Sequence, residues 1–258
     1  VRAAMIVPYC GAAPLPAEWL GRWNLDPVLI VAIVGAAALH LGALMRERIS
    51  DGRNPRLILA GAAWTLMALL FVSPLCALTS ALFSARVAHH VVLVAGVAPL
   101  LILSLPRRLA ALRMPGLAGT AAFLLHMVLL WLWHAPAPYA AALADTRMFW
   151  VMELGLLGSA LLLWLAVLAP AVRLGGALAL LLGSVVQMGL LGAVITFART
   201  PLYDAHLGVT TPWGLGALQD QQLAGLIMWV PAAIPYLIAA LMLLVSRFGA
   251  GVADEPAR

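Results

Sequence analysis

Three kinds of side chain in this sequence could do chemistry together: imidazole, carboxylate and thioether. His89, His90, His134 and His206 fall at or near the ends of long apolar runs, and Asp204, Asp220 and Glu153 lie in comparable positions. Imidazole beside carboxylate is the donor set of a transition-metal site, and a methionine thioether would bias it toward Cu(I). Met148 and Met152, one helical turn apart, are the nearest thioethers in the sequence, with Met127 and Met228 deeper in apolar stretches. Glu153 and His126 lie inside apolar runs. An ionisable group there costs several kcal/mol unless paired or solvated, which makes each a functional candidate.

Each candidate also has a plainer reading. His89 and His90 are adjacent, hence about 100° apart on a helix, and are not expected to address one core position. Either one serves equally as an interfacial polar residue. His134 follows Trp131 and Trp133, which by themselves form an interfacial aromatic belt. Asp220 and Asp26 read as helix N-caps. Asp204 and His206 share a side only if their segment is extended. Met148 and Met152 read as packing, and His40 as a polar residue in a packed position.

The elements that must position these groups are membrane spans. The chain has 258 residues, 64% apolar and 10% charged, far from the roughly one-quarter charged composition of soluble domains. About 20 apolar residues cross a bilayer core as a helix. Seven segments qualify: 27–45, 57–78, 87–105, 118–134, 148–169, 174–198 and 222–246. The expected fold is all-α, a seven-helix polytopic bundle over 27–248. An outer segment 1–26 precedes it and a cytoplasmic tail 249–258 follows. The first 25 residues are broken by Pro8, Pro14 and Pro16 and do not read as a cleaved signal peptide, so insertion is expected to rely on the first span.

All 15 basic residues are arginine. With the N-terminus outside, the inner loops hold Arg46, Arg48, Arg53, Arg56, Arg107, Arg108, Arg113, Arg173, Arg247 and Arg258, and the outer segments Arg2, Arg22, Arg86, Arg147 and Arg199. Ten against five reads as N-out, C-in. The net charge of +5 is then an inner-face excess and not a nucleic-acid footprint. In this orientation His89, His90, His134, His206, Glu153, Asp204 and Asp220 all lie toward the outer face. His126 lies about 12 Å below His134 at 1.5 Å per residue, and His40 lies toward the inner end.

Local signals agree with this layout. Asp26-Pro27 reads as a cap followed by proline at the first helical position. Pro55 precedes the second span, and Asp220 stands where a cap for the seventh would be. Pro99, Pro231 and Pro235 predict kinks. Cys10 and Cys76 are too few for a disulfide framework, and no CxxC pair occurs. No P-loop, GxSxG, HExxH or glycine-rich dinucleotide turn is present.

The run from Asp220 to Pro231, DQQLAGLIMWVP, resembles the signature of the polytopic CtaG family of cytochrome c oxidase assembly factors. Trp23-Asn24-Leu25-Asp26-Pro27, Ser73-Pro74-Leu75, the stretch Leu82 to His90, Ala98-Pro99-Leu100-Leu101, and Trp133-His134-Ala135-Pro136 with Tyr139 resemble further family elements in order. The match runs from about Trp23 to Phe248. Members often carry His-Met-x-x-His at the third span; here His90 matches the second histidine and the first is missing. A tyrosine common near His40 is also absent, and Glu153 or its neighbours stand where a histidine is common.

The resemblance implies a non-enzymatic, multi-pass protein of a bacterial inner membrane. It would act with haem-copper oxidase subunits during oxidase maturation and handle copper there. The candidate metal residues are His90, His134 and Asp220, supported by His89, Glu153, His206, His126 and Met152. The rival readings are a haem-binding electron carrier using His90 and His134, a metal or solute transporter, and a chaperone binding an oxidase subunit through lipid-facing helices.

Overall fold

The computed structural model describes residues 8–47, 54–110, 116–168 and 173–253. Among these no strand forms, and the elements are helices joined by short turns. In chain order they are α1 (Pro27–Met45), α2 (Pro55–Phe71), α3 (Pro74–Ala81), α4 (Phe83–Val92), a π-helical stretch Leu93–Val97, α5 (Ala98–Leu103), α6 (Arg107–Ala110), α7 (Gly116–His134), α8 (Pro136–Ala144), α9 (Thr146–Leu168), α10 (Leu174–Phe197), α11 (Ala217–Trp229) and α12 (Ala233–Ala253).

Each of the seven apolar segments lies mostly on these helices, with Ala169 outside the described residues. Five spans are long and apolar enough on their own to cross a bilayer. Two more qualify only as bent pairs, α2 with α3 at 49° and α7 with α8 at 75°. The assembly is a membrane-helix bundle of five to seven spans. The expected tail at 249–258 is helical to Ala253, and residues 254–258 lie outside the described residues, as do Arg2, Arg48, Arg53 and Arg113.

The predicted punctuation is visible. The Asp26 carboxylate accepts from Val28 N at 2.8 Å with Pro27 at the first helical position, and Pro55 opens α2 under an Asn54 cap. Pro99 has no N–H, so the Val94 carbonyl five residues back has no π-helical donor there. The Trp164 indole N–H supplies one at 2.8 Å. Pro231 likewise splits α11 from α12, and Ala232 N takes the freed Ile227 carbonyl at 3.1 Å.

The core lies between α4, α9, α10 and α11, with α7 against α9. The tightest crossing is α10 on α11. A Cβ on Gly192 would meet the Gly225 carbonyl at 2.8 Å, and one on Gly225 would meet the Gly192 carbonyl at 2.6 Å. Backbones this close are the small-residue packing of membrane helices. By contrast, α1 buries only Leu29 and Leu44 and leans on α2.

One pairing the sequence reading did not anticipate appears here, and one expectation is overturned. Cys10 and Cys76 form a disulfide that ties the segment before α1 to α3. A pair too sparse for a cysteine framework still joins across 66 residues, because the α2–α3 bend brings Cys76 under the N-terminal segment. Asp220, in turn, does not cap its own helix: α11 begins at Ala217, and Gly216 holds the N-cap position.

Candidate functional site

Helix α4 is the spine of the site. Arg86, His89 and His90 sit at i, i+3 and i+4, the spacing that stacks side chains on one helix face. Across from them, about two turns into α9, stands Glu153. Its Oε1 lies 3.2 Å from Arg86 Nη1 and 3.2 Å from His90 Nε2, and its Oε2 lies 3.5 Å from His89 Nε2. The expectation that two adjacent histidines cannot address one position fails for a physical reason. A carboxylate has two oxygens, and the two rings approach one each. His134, at the end of α7, completes the group with its ring centroid 5.5 Å from that of His90. Arg86 is 0% exposed and none of the five exceeds 3%.

Charge balance and ring geometry follow from these contacts. The Arg86 guanidinium neutralises Glu153 and also lies 5.3 Å from the centre of the Phe149 ring. Arg86 therefore belongs to the bundle interior, and the outer arginine count of five drops by one to four. A carboxylate oxygen only accepts, so His90 Nε2 carries the proton it donates to Glu153, leaving Nδ1 with a lone pair. His134 Nδ1 donates to the Leu130 carbonyl at 2.7 Å, which leaves the Nε2 lone pair free. His90 Nδ1, His134 Nε2, both His89 nitrogens and Glu153 Oε2 have no hydrogen-bond partner. An imidazole anchored through one nitrogen, with the other unengaged, is how metal-binding histidines are held.

A second cluster hangs on the first turn of the same helix. Asp220 reaches from α11 and accepts from Phe83 N at 2.6 Å, Ser84 N at 3.2 Å and the Ser84 hydroxyl. Leu82 holds the N-cap position of α4 but has no polar side chain to cap with, and Asp220 supplies the capping carboxylate from another helix, where its charge favours the helix terminus. His206 lies in a 3-10 turn beside it. His206 Nε2 accepts from Tyr139 Oη at 2.7 Å, and Nδ1 donates to the Ala81 carbonyl at 3.2 Å. Tyr203 donates to the His134 carbonyl at 2.7 Å and stacks on Phe83 at 3.8 Å. Burial pushes the His206 imidazole down to about 4 and raises the Tyr203 phenol, the latter reinforced by Tyr139.

The other sequence candidates do not join either cluster. His126 is buried on α7 with Nδ1 2.9 Å from the Ser159 hydroxyl. Met152 is wholly buried in the core, Met148 is 38% exposed, and Met228 is buried in α11. Asp204 is exposed while His206 is buried, because the turn between them is not extended. His40 bridges Trp64 Nε1 at 3.2 Å and the Ser104 carbonyl at 3.0 Å. Among the described residues, no three His, Cys, Asp or Glu side chains converge as a metal-holding group.

Sequence reasoning missed Arg86, Ser84 and Tyr203. Arg86 had a readable signal: three residues from His89 and four from His90, it shares their helical face.

The DQQLAG run becomes intelligible once placed. Asp220 caps α4; Gln221 accepts from Leu202 N at 2.7 Å and donates to the Ile195 carbonyl at 3.2 Å; Gly225 permits the α10 crossing. The sequence model of the cytochrome c oxidase caa3 assembly factor family (Caa3_CtaG) matches residues 38–248. No curated protein and no solved structure gives a significant match.

Proposed function

The chain belongs to the cytochrome c oxidase caa3 assembly factor family, and from that premise we propose that it handles copper for a haem-copper oxidase, without catalysing a reaction. The setting we propose is a bacterial inner membrane with the N-terminus and the His90–His134 end outside. Two independent features support that orientation: the inner arginine excess, and a disulfide at the Cys10 end, since disulfides persist in oxidising compartments.

One observation carries the copper reading. His90 Nδ1 and His134 Nε2 are buried lone pairs without partners, on rings 5.5 Å apart, each anchored through its other nitrogen. Buried polar atoms are rarely left unsatisfied, and those that are ask for an explanation such as an ion. Two imidazoles fit a low-coordinate soft cation better than a four-ligand cage, and imidazole suits copper. His90 and His134 would hold the ion. Glu153 would orient His90 and lend it basicity through the Nε2 hydrogen bond. His89, whose Nδ1 has no partner and whose Nε2 lies 3.5 Å from Glu153 Oε2, would be a further donor. Asp220 and His206 would keep α4 in place instead of binding metal.

The test is copper content of the purified, Cu(I)-loaded protein, wild type against His90→Ala with His134→Ala. A stoichiometric loss supports the reading, and equal copper in both proteins defeats it. Oxidase copper content in a deletion strain, with and without added copper, separates metal supply from subunit chaperoning.

A further inference from the structure

A cavity of about 360 Å³ opens between α1, α2 and α9, within the range that holds small ligands. Its polarity is graded along its length. Tyr9, Asp26 and Glu153 lie toward one end, and Ile33, Met67 and Leu157 line the stretch beyond. Trp64 also lines a second apolar cavity of about 490 Å³, which His40 and Pro106 line as well. The Trp64 indole is held by His40, which is itself anchored on the Ser104 carbonyl. The two cavities thus follow α1 for much of its length, on the side where that helix is least packed. The first is walled at its polar end by Tyr9, which donates to Asp26 at 2.6 Å, stacks on Phe149 at 4.8 Å and adjoins the disulfide-bonded Cys10.

We propose that this cavity binds a single-chain membrane amphiphile whose head donates hydrogen bonds, a hydroxyl or an amine, with the head at Glu153 and Asp26 and the chain running toward Trp64. The graded lining matches that shape. The head chemistry follows from Glu153, which is 1% exposed, lines the cavity, and has an Oε2 with no hydrogen-bond donor, only the His89 ring at 3.5 Å. Carboxylates accept and do not donate, so a donor head is favoured and a carboxylate head is repelled. The proposal goes beyond copper handling and does not depend on it.

The experiment uses the full chain in a neutral detergent, with hexadecanol, hexadecylamine or hexadecanoate as probe and native mass spectrometry as readout. Ala32 and Val28 line the cavity and are otherwise exposed, so Ala32→Trp and Val28→Trp fill it without disturbing the core. A donor-headed probe should be retained at roughly one per chain, with retention falling about tenfold or more in Ala32→Trp, a difference of about 1.4 kcal/mol. Hexadecanoate should stay at the level of the filled variant. Equal retention of the donor-headed probes by wild type and both folded variants overturns the site. Hexadecanoate retained as well as hexadecanol overturns the head assignment. Neither result touches the copper measurement, so the two readings fail separately.

Discussion

Two buried polar clusters hang on α4, one turn apart, and they solve opposite problems. In the Asp220–His206 cluster, Asp220 takes three donors at the α4 terminus, and both His206 nitrogens are engaged. In the Glu153 cluster, four imidazole nitrogens, a carboxylate oxygen and two Arg86 nitrogens, Nε and Nη2, are left over. Burying a polar group without a partner costs about 1–3 kcal/mol, so a fold that completes one network and leaves its neighbour incomplete separates two tasks. The first fixes where α4 starts. The second presents spare lone pairs at a place the first has fixed.

The largest expected effect lies in the incomplete cluster, because it also buries a full ion pair. Replacing Glu153 by Leu strands the Arg86 charge and should cost about 3–5 kcal/mol, while the double variant Arg86→Leu with Glu153→Leu should recover most of that. Unfolding of the three proteins in detergent measures it. A double variant no better than the single one would mean that the pair holds the bundle through its hydrogen bonds and geometry, not merely through compensation of charge. Asp220→Asn should behave differently. Its amide keeps one acceptor oxygen, but the NH2 now faces a donor that the second carboxylate oxygen had satisfied, and the charge is gone. The cost should be on the order of 3 kcal/mol, and no second substitution among its neighbours restores that acceptor. Protein that still folds should keep its copper, and loss of copper in a well-folded Asp220→Asn protein would erase the division between the clusters.

A pH series sharpens the comparison from the complete side. His206 is buried neutral, with its folded value near 4 against an ordinary 6.5. Between those values the unfolded chain binds a proton that the folded chain refuses. Stability is therefore full above about pH 6.5, declines as the pH falls toward 4, and levels off below, by on the order of 3 kcal/mol in total. His206→Leu should remove that part of the slope while lowering stability at pH 7.5 through the lost Tyr139 and Ala81 bonds. Apparent unfolding temperatures at pH 4.5 and 7.5 for both proteins decide it. An unchanged slope would assign the acid sensitivity to another group.

How far the sequence could be read follows the same division between local and distant causes. The spans, the Asp26 cap and the interruptions at Pro99 and Pro231 were legible, because each depends on residues within a turn or two. Asp220 was not. Capping rules point to the nearest helix, whereas the helix it caps begins 137 residues away at Phe83. Arg86 was counted as a loop charge because apolar-run boundaries cannot say which way a side chain faces, and only Glu153, on another helix, shows that it points inward. The Cys10–Cys76 pair and the shared use of Glu153 by both histidines are tertiary facts of the same kind. The fold gathers His89, His90, His134 and Glu153 in one cluster and Asp220 with His206 in its neighbour, while His126 and Met152 join neither, a sorting that no local signal in the sequence carries.

The smallest stability effect is expected where the functional effect should be largest. His134 makes one hydrogen bond, to a carbonyl in its own helix, and its other nitrogen contributes nothing to the fold. His134→Leu removes a buried unsatisfied atom along with that bond, so the two terms nearly offset and the change should stay within about 1 kcal/mol. The matching His206→Leu, which loses two bonds and no spare lone pair, should cost more and leave bound copper as it was. Measured side by side for unfolding and for copper after Cu(I) loading, the two substitutions should therefore give opposite patterns. Stability without copper in His134→Leu and copper with reduced stability in His206→Leu is the crossed result that the geometry requires. If both lose copper, or neither does, the unpartnered nitrogens of His90 and His134 are not what holds the ion.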